Sequence, residues 1–357
     1  MKSNKSRLQY LDWLRGLAVP LMIQVHVSDS FLKENLRATE WYQLSQFLGG
    51  LAAPLFLFMA GISIALVFDR MIQKQARRSQ LIERAIRRGA WILLLAYAFR
   101  VEQVVTWYPY ADWPDVLKVD ILNCIAVSSL MAGIAAAFVK NHRRNAALLA
   151  GAAAAIVLLT PVVAPLRGGL PAIVMTYING NGRLDYFTFF PWAGYTFAGA
   201  AAGYLLIEAR KAEREYAFML WSAALGAALF AIGYEVNRHP GLLLGLASYT
   251  RASPHYVFQK LGYMFMLLYG AYRWSNRARA GRWSPLLLFG QTSLLIYWLH
   301  IEFVYGRLRI FFNSLDVAAT IAQLLWLIPL MLAIATTRMR WKRRSENPLP
   351  LGEVGAP

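Results

Sequence analysis

The chain has 357 residues, 58% of them hydrophobic and 16% charged, with a formal net charge of +18 and a mean hydropathy of +0.39. Soluble domains are about 25% charged, so this composition excludes a disordered, collagen-like or disulfide-rich chain and argues against a soluble globular enzyme. Cys124 is the single cysteine, which excludes an intrachain disulfide and a cysteine-based metal cluster. In a soluble protein such a positive balance would suggest nucleic acid. Here Lys and Arg lie between apolar runs, which is the pattern of membrane topology.

A spanning helix needs about 20 mostly apolar residues. Ten such runs follow one another, near 10–30, 46–68, 86–106, 117–139, 146–166, 186–207, 216–236, 255–273, 285–305 and 317–337. The expected fold is an all-α polytopic membrane protein of about ten transmembrane helices, because backbone polar groups in lipid must be satisfied within the segment. With a cytoplasmic N-terminus, and with Arg87, Arg88, Arg100, Lys118 and Arg273 counted with the connections that adjoin their runs, the inside segments hold 25 Lys and Arg and the five outside ones 10. Arg15 and Lys260 fall within the runs and complete the total of 37. That asymmetry predicts both termini on the cytoplasmic side of a plasma membrane, the inner membrane in a bacterium. The first run carries Asp12, Arg15 and His26 with no small-residue cleavage site after it, unlike a cleavable signal peptide. Residues 1–337 read as one transmembrane domain. The 338–357 tail, basic and then rich in Pro and Gly, reads as a disordered cytoplasmic anchor.

Ionisable residues within the runs carry the functional information, since each costs about 2.5–3.5 kcal/mol at a helix centre. In the first run, LDWLRGLAVPLMIQVHVSDS, Asp12 and Arg15 are three apart and can pair on one face. Arg15 and His26 are eleven apart, almost three full turns, so they share a face about 16 Å apart along the axis. Asp29, three residues beyond His26, is placed to orient the imidazole. The competing readings are a snorkelling topology anchor for Asp12 and Arg15 and an interhelical hydrogen bond for His26. In the ninth run, Ser293, Tyr297, His300 and Arg307 share a stripe. That stripe lines a site or belongs to an interfacial belt with Trp298 and Tyr305.

Weaker signals lie between these two runs. Asp120 and Asn123 open the fourth, Pro191 and Trp192 mark a break in the sixth, and Lys260 follows Pro254 and His255 in the eighth. Arg77, Arg78, Arg84, Arg87 and Arg88 lead into the third run. They serve as positive-inside topology or as a phosphate-binding mouth, since Arg pairs well with phosphate oxygens. The glycines around 167–182 follow no strand and precede no GK[ST], so they indicate no nucleotide loop. Metal-ligand spacings are absent, and no metal is expected.

LDWLRGLAV with His26 at the end of that run resembles the start of the heparan-alpha-glucosaminide N-acetyltransferase-like family, within the transmembrane acyltransferase superfamily. Arg15, ten residues and His26 also resemble the Arg-x10-His hallmark of acyltransferase type 3. VDILNCIAVSSL (119–130), FFPWAGYTFAGAAAGY (189–204) and FGQTSLLIYWLHIE (289–302) are similar to further family segments in the expected order. The resemblance implies transfer of an acetyl or other acyl group from cytoplasmic acetyl-CoA to a sugar or glycan acceptor across the membrane, on a hydroxyl or an amine. It implies that His26 is the essential base or acyl carrier, and that Arg15 matches the family Arg. It also hints at a homodimer. Many relatives have Gln-Arg where this chain has Asn123 and Cys124, so that Arg has no counterpart here.

Combined with the polar stripe, the resemblance gives candidate catalytic residues His26, Asp29 and Arg15. Candidate acetyl-CoA-binding residues are Arg84, Arg87, Arg88, Arg15 and Asp12. Candidate acceptor-binding residues are Asn123, Asp120, Trp192, Tyr297 and His300. Two other classes remain open on composition: a multi-pass transporter of a small solute, and a non-catalytic protein of envelope assembly.

Overall fold

The apolar runs fold as helices. A computed structural model of the chain describes residues 8–108, 110–182, 187–239, 253–277 and 283–346. Twelve α-helices are α1 (Gln9–Phe31), α2 (Glu40–Gly49), α3 (Ala52–Gln73), α4 (Arg78–Trp107), α5 (Ile121–Ala137), α6 (His142–Val163), α7 (Ala172–Asn179), α8 (Phe189–Lys211), α9 (Glu215–Arg238), α10 (Pro254–Arg277), α11 (Pro285–Val304) and α12 (Val317–Glu346). Among the described residues the only β pairing is an isolated bridge between Leu32 and Leu315. The protein is all-α, as composition and periodicity indicate.

Among the described residues each of the ten apolar runs maps to helix, the 46–68 run being divided between the end of α2 and α3. Among the described residues, seven segments are long and apolar enough to cross a bilayer: Glu40–Gln73, Arg78–Trp107, Trp113–Ala137, His142–Val163, Glu215–Arg238, Pro285–Val304 and Val317–Lys342. The helices of the other three runs, α1, α8 and α10, are long but more polar. Asp12, Arg15, Gln24, His26 and Asp29 lower the hydropathy of α1, and His255, Gln259 and Lys260 that of α10. Gly, Tyr and Thr dilute α8.

The helices group into two compact units. One comprises Met1–Gly50 with Ala278–Pro357, and the other Leu51–Arg277. In the first unit, α1 packs along α11 at unusually short range. A methyl group added at Gly16 would lie 1.8 Å from the Leu286 carbonyl oxygen, and one added at Gly290 would lie 1.9 Å from that of Asp12. Only glycine permits such an approach. In lipid, where apolar side chains gain little by leaving their solvent, close van der Waals contact of this kind drives helix association.

The far end of the same unit is fastened by backbone pairing. Leu315 N–H donates to Phe31 O at 2.9 Å, Lys33 N–H to Leu315 O at 2.9 Å and Asn313 N–H to Ser30 O at 2.9 Å. Arg37 adds side-chain bonds to Asp29 O at 2.7 Å and to Asn313 Oδ1 at 3.0 Å.

In the second unit the same small-residue logic recurs where Gly61 of α3 meets α8 and where Gly226 of α9 faces Gly262 of α10. One end of α3, α6 and α8 is tied by His142. Its Nδ1 lies 2.8 Å from Glu208 Oε1 and its Nε2 3.3 Å from Asp69 Oδ1. Lys211 Nζ reaches Asp69 Oδ1 at 3.0 Å.

The break expected at Pro191 is present. Phe190 has φ −95° and ψ 121°, outside the helical range, at the start of α8. The basic tail differs from expectation. α12 continues through Glu346, so Arg338, Arg340 and Lys342 stand on a helix that outruns its apolar stretch, with the Arg338 guanidinium 5.0 Å from the Trp341 ring centroid. The first basic residues, Lys2, Lys5 and Arg7, the Pro/Gly part of the tail beyond 346 and most of the 237–254 connection lie outside the described residues.

Candidate functional site

α1 and α11 carry one histidine each at matched positions. His26 comes ten residues after Gly16, and His300 ten residues after Gly290. Two helices in glycine contact and running in the same direction therefore bring the histidines to one level, about 15 Å beyond the crossing at 1.5 Å per residue. The rings stack with centroids 5.2 Å apart and planes 8° from parallel. His26 Nδ1 lies 2.9 Å from His300 Nε2.

The other nitrogen of His300 fixes the proton positions. His300 Nδ1 is 2.8 Å from the carbonyl oxygen of Ile296, and a carbonyl can only accept, so Nδ1 carries a proton. With both rings neutral, His300 Nε2 is then the acceptor and His26 Nδ1–H the donor. That leaves Nε2 of His26 as the nitrogen bearing the lone pair. His300 is fully buried and His26 half-buried. Tyr305 closes one side of His26, its ring edge-on at 5.6 Å and its hydroxyl 3.4 Å from the His26 carbonyl oxygen. Tyr297, also buried, packs edge-on against His300 at 5.9 Å.

The imidazole is thus oriented by His300, where the sequence suggested Asp29. Asp29 is exposed, and its carboxylate accepts from the Tyr42 hydroxyl at 2.8 Å. Asp12 and Arg15 form the expected i,i+3 pair at 3.8 Å, with Asp12 the more buried. Arg307 falls off the expected stripe because α11 ends at Val304.

The remaining candidates belong to the second unit. Arg84 and Arg88, one turn apart on α4, line a small recess with Ile64, Val67, Phe68, Ser129 and Gly133. Arg87 is absent from that lining and pairs outward with Glu83 at 2.6 Å.

Asp120 and Asn123 cap α5 reciprocally. Ile121 N–H donates to Asp120 Oδ1 at 2.6 Å and Asp120 N–H to Asn123 Oδ1 at 3.2 Å. Asp120 also pairs with Arg100 at 2.9 Å. Asn123 Nδ2 donates to the Tyr177 hydroxyl at 2.9 Å, and that hydroxyl meets Tyr97 Oη at 2.6 Å. Burial, and then the neighbouring Tyr97 hydroxyl, push the Tyr177 phenol above its usual range, which keeps it a protonated donor. Trp192 is buried, with Phe187 and Tyr195 rings at 4.7 and 5.9 Å. Among the described residues no group of three His, Cys, Asp or Glu is placed to hold a metal ion.

Sequence reading named His300 but not its pairing with His26. The signal was available as a repeated spacing, Gly followed ten residues later by His, in two runs that topology makes parallel. The Tyr305 contact and the Ile296 carbonyl have no sequence signal, because one is a packing consequence and the other is backbone.

These features define a multi-pass, all-helical integral membrane protein with a paired-imidazole centre held between two helices in glycine contact. A family profile described as heparan-alpha-glucosaminide N-acetyltransferase, catalytic, matches residues 7–238. The chain belongs to that family, which places it among the membrane acetyltransferases. No curated protein matches the chain.

Proposed function

We propose that the protein transfers an acetyl group from acetyl-CoA, taken from the cytoplasmic side, to the hydroxyl or amine of a sugar or glycan on the other side of a bacterial inner membrane. The carrying observation is the Ile296–His300–His26 relay. It fixes one tautomer of His26 and leaves Nε2 basic, which a general base or nucleophile requires.

In the direct route, His26 Nε2 takes the proton of the acceptor as its oxygen or nitrogen attacks the thioester carbonyl. The carbon–sulfur bond breaks, and the imidazolium returns the proton to the CoA thiolate. In the two-step route, Nε2 itself attacks, the carbon–sulfur bond breaks and CoA leaves as the thiolate, giving an acetyl-imidazolium; the acceptor then attacks the acetyl carbon, the carbon–nitrogen bond breaks, and the acceptor's proton passes to the CoA thiolate. His300 holds the ring and shares the positive charge that develops on it. Arg84 and Arg88 take the phosphates of CoA, and Arg15, held by Asp12, positions the donor. Asp120, Asn123, Trp192 and Tyr297 remain acceptor-side candidates. The ten runs cross the membrane with both ends inside, as the Lys and Arg distribution favours.

The test is release of free CoA thiol by purified protein given acetyl-CoA and a panel of amino and neutral sugars. His26→Ala should abolish release. Solute flux without CoA release would overturn the reading in favour of transport. Retention of radiolabel on protein given acetyl-CoA alone would select the two-step route.

A further inference from the structure

The connection from α11 to α12 forms a strap over the histidine end of the first unit. It begins at Tyr305, whose ring lies against His26. Leu308 N–H donates to Glu302 O at 3.0 Å and Arg309 N–H to Gly306 O at 3.2 Å, which holds the start of the strap on α11. Asn313 N–H, bonded to Ser30 O at 2.9 Å, pins its other end to α1. Between these anchors the side chains alternate. Phe311 turns onto Phe31, with ring centroids 5.8 Å apart, while Leu308, Ile310 and Phe312 are 52, 77 and 58% exposed.

Exposed apolar side chains on a spanning helix face hydrocarbon and need no special account. These three stand on irregular backbone, which at a lipid surface lies no deeper than the headgroups. Headgroup belts are built from Trp and Tyr, which have a polar tip, and the 107–117 connection obeys this with Tyr108, Tyr110 and Trp113 exposed. Leu, Ile and Phe have no such tip. Two arginines stand among them. Arg307 is exposed, and the Arg309 guanidinium lies 4.3 Å from the Phe312 ring centroid, a cation held flat against the apolar patch.

The neighbouring carboxylates are engaged locally. Asp29 accepts from Tyr42, Glu34 from Asn313 Nδ2 at 3.1 Å and Asp316 from the Ala319 N–H at 2.8 Å. Glu302 reaches the same turn, its carboxylate beside Gly306. Each guanidinium has five N–H donors, enough for a phosphate as well. A cationic pair interleaved with apolar side chains is complementary to a phosphate esterified to a hydrocarbon chain. His26, half-buried, lies five residues before Phe31, about 7.5 Å along the axis of α1. That gap is of the order of one sugar residue.

We propose that the 307–312 strap docks the acceptor in lipid-linked form, as a sugar joined through phosphate to a long hydrocarbon chain. Arg307 and Arg309 hold the phosphate, Leu308, Ile310 and Phe312 hold the first part of the chain, and the sugar reaches His26. The fate of the sugar rests on the acetyltransferase reading above, whereas the docking of the lipid phosphate does not.

Binding tests the docking without turnover. The probes are farnesyl phosphate, farnesol and phosphatidylglycerol, each added to the full-length protein in phosphatidylcholine nanodiscs. Farnesyl phosphate should bind more tightly than the other two. Arg307→Gln with Arg309→Gln should weaken it about tenfold or more, the worth of one charged hydrogen bond, with farnesol little changed. Arg307→Lys with Arg309→Lys keeps the charges and should retain most of the affinity, which separates lost recognition from misfolding. Ile310→Ser with Phe312→Ser should weaken both farnesyl probes. Equal binding of farnesyl phosphate and phosphatidylglycerol would make the strap an ordinary interfacial anchor and overturn the proposal, as would insensitivity to the arginines.

Turnover tests the sugar. Glucosamine and glucose are offered with acetyl-CoA, each free and joined through a 1-phosphate to farnesol. The linked form should have a KM lower by about tenfold or more, an advantage that Arg307→Gln with Arg309→Gln removes. Equal KM for free and linked forms overturns the lipid-linked acceptor and leaves the acetyltransferase reading intact. Arginine-dependent binding of farnesyl phosphate with no transfer to any of these sugars sinks the acetyltransferase reading and leaves the docking site standing.

Discussion

The informative residues are those whose partners decide what they can do. His26 alone is a half-buried imidazole. His300, its Nδ1 committed to the Ile296 carbonyl, fixes the tautomer of His26, as the proposed base or nucleophile requires. Replacing His300 by Phe keeps the volume and removes the relay. It should lower kcat for acetyl transfer about 10–100-fold, the usual cost of losing a residue that orients a functional group, with KM for acetyl-CoA little changed. Steady-state kinetics on both parameters checks this, and an equal change in both would assign His300 to donor binding instead. Asp29→Asn should have a far smaller effect on kcat, because that carboxylate is bound to Tyr42. At this scale the sequence exposed half of the site. The i,i+3 pairing of Asp12 and Arg15 is a local consequence of helical pitch and was legible. The His26–His300 contact joins positions 274 apart and depends on two helices crossing, which spacing within one run does not report.

Elements are placed by their smallest residues and their caps. Gly290→Ala puts a methyl group onto the Asp12 carbonyl, so α1 and α11 must separate. The expected cost is about 1–3 kcal/mol or more, read as a fall in thermal unfolding temperature in detergent, together with lost activity well below that temperature as the rings part. Asp120→Ala removes the α5 cap and the carboxylate of Arg100, whose side chain is only 14% exposed. Breaking a fully buried pair on one side costs about 3–5 kcal/mol; this pair is part-buried, so a smaller loss is expected, read as a fall in thermal unfolding temperature. Asp120→Asn, which retains the cap, should fall between the two. The helices were legible because each is a continuous apolar run, and the α8 break because Pro191 lacks an N–H. The continuation of α12 through Glu346 was misread: a basic segment reads as a loop by polarity, yet Arg, Lys, Met and Trp propagate a helix already nucleated by the apolar turns before it.

For the molecule as a whole, topology is the quantity to measure, and its single, buried cysteine simplifies the measurement. In a Cys124→Ala background, Lys74→Cys and Asp112→Cys should react with an impermeant maleimide from opposite sides of sealed vesicles, Lys74→Cys from the cytoplasmic side. Labelling of both from the same side would refute the alternation of inside and outside connections. The unit that holds the histidine pair is assembled from both extremities of the chain, Met1–Gly50 and Ala278–Pro357, and the segment matched to the family stops at 238, before His300. During synthesis α1 therefore enters the membrane with His26 uncovered and stays so until α11 emerges. A chain translated only as far as the intervening stretch therefore lacks the His26–His300 contact, which forms only once α11 has been made.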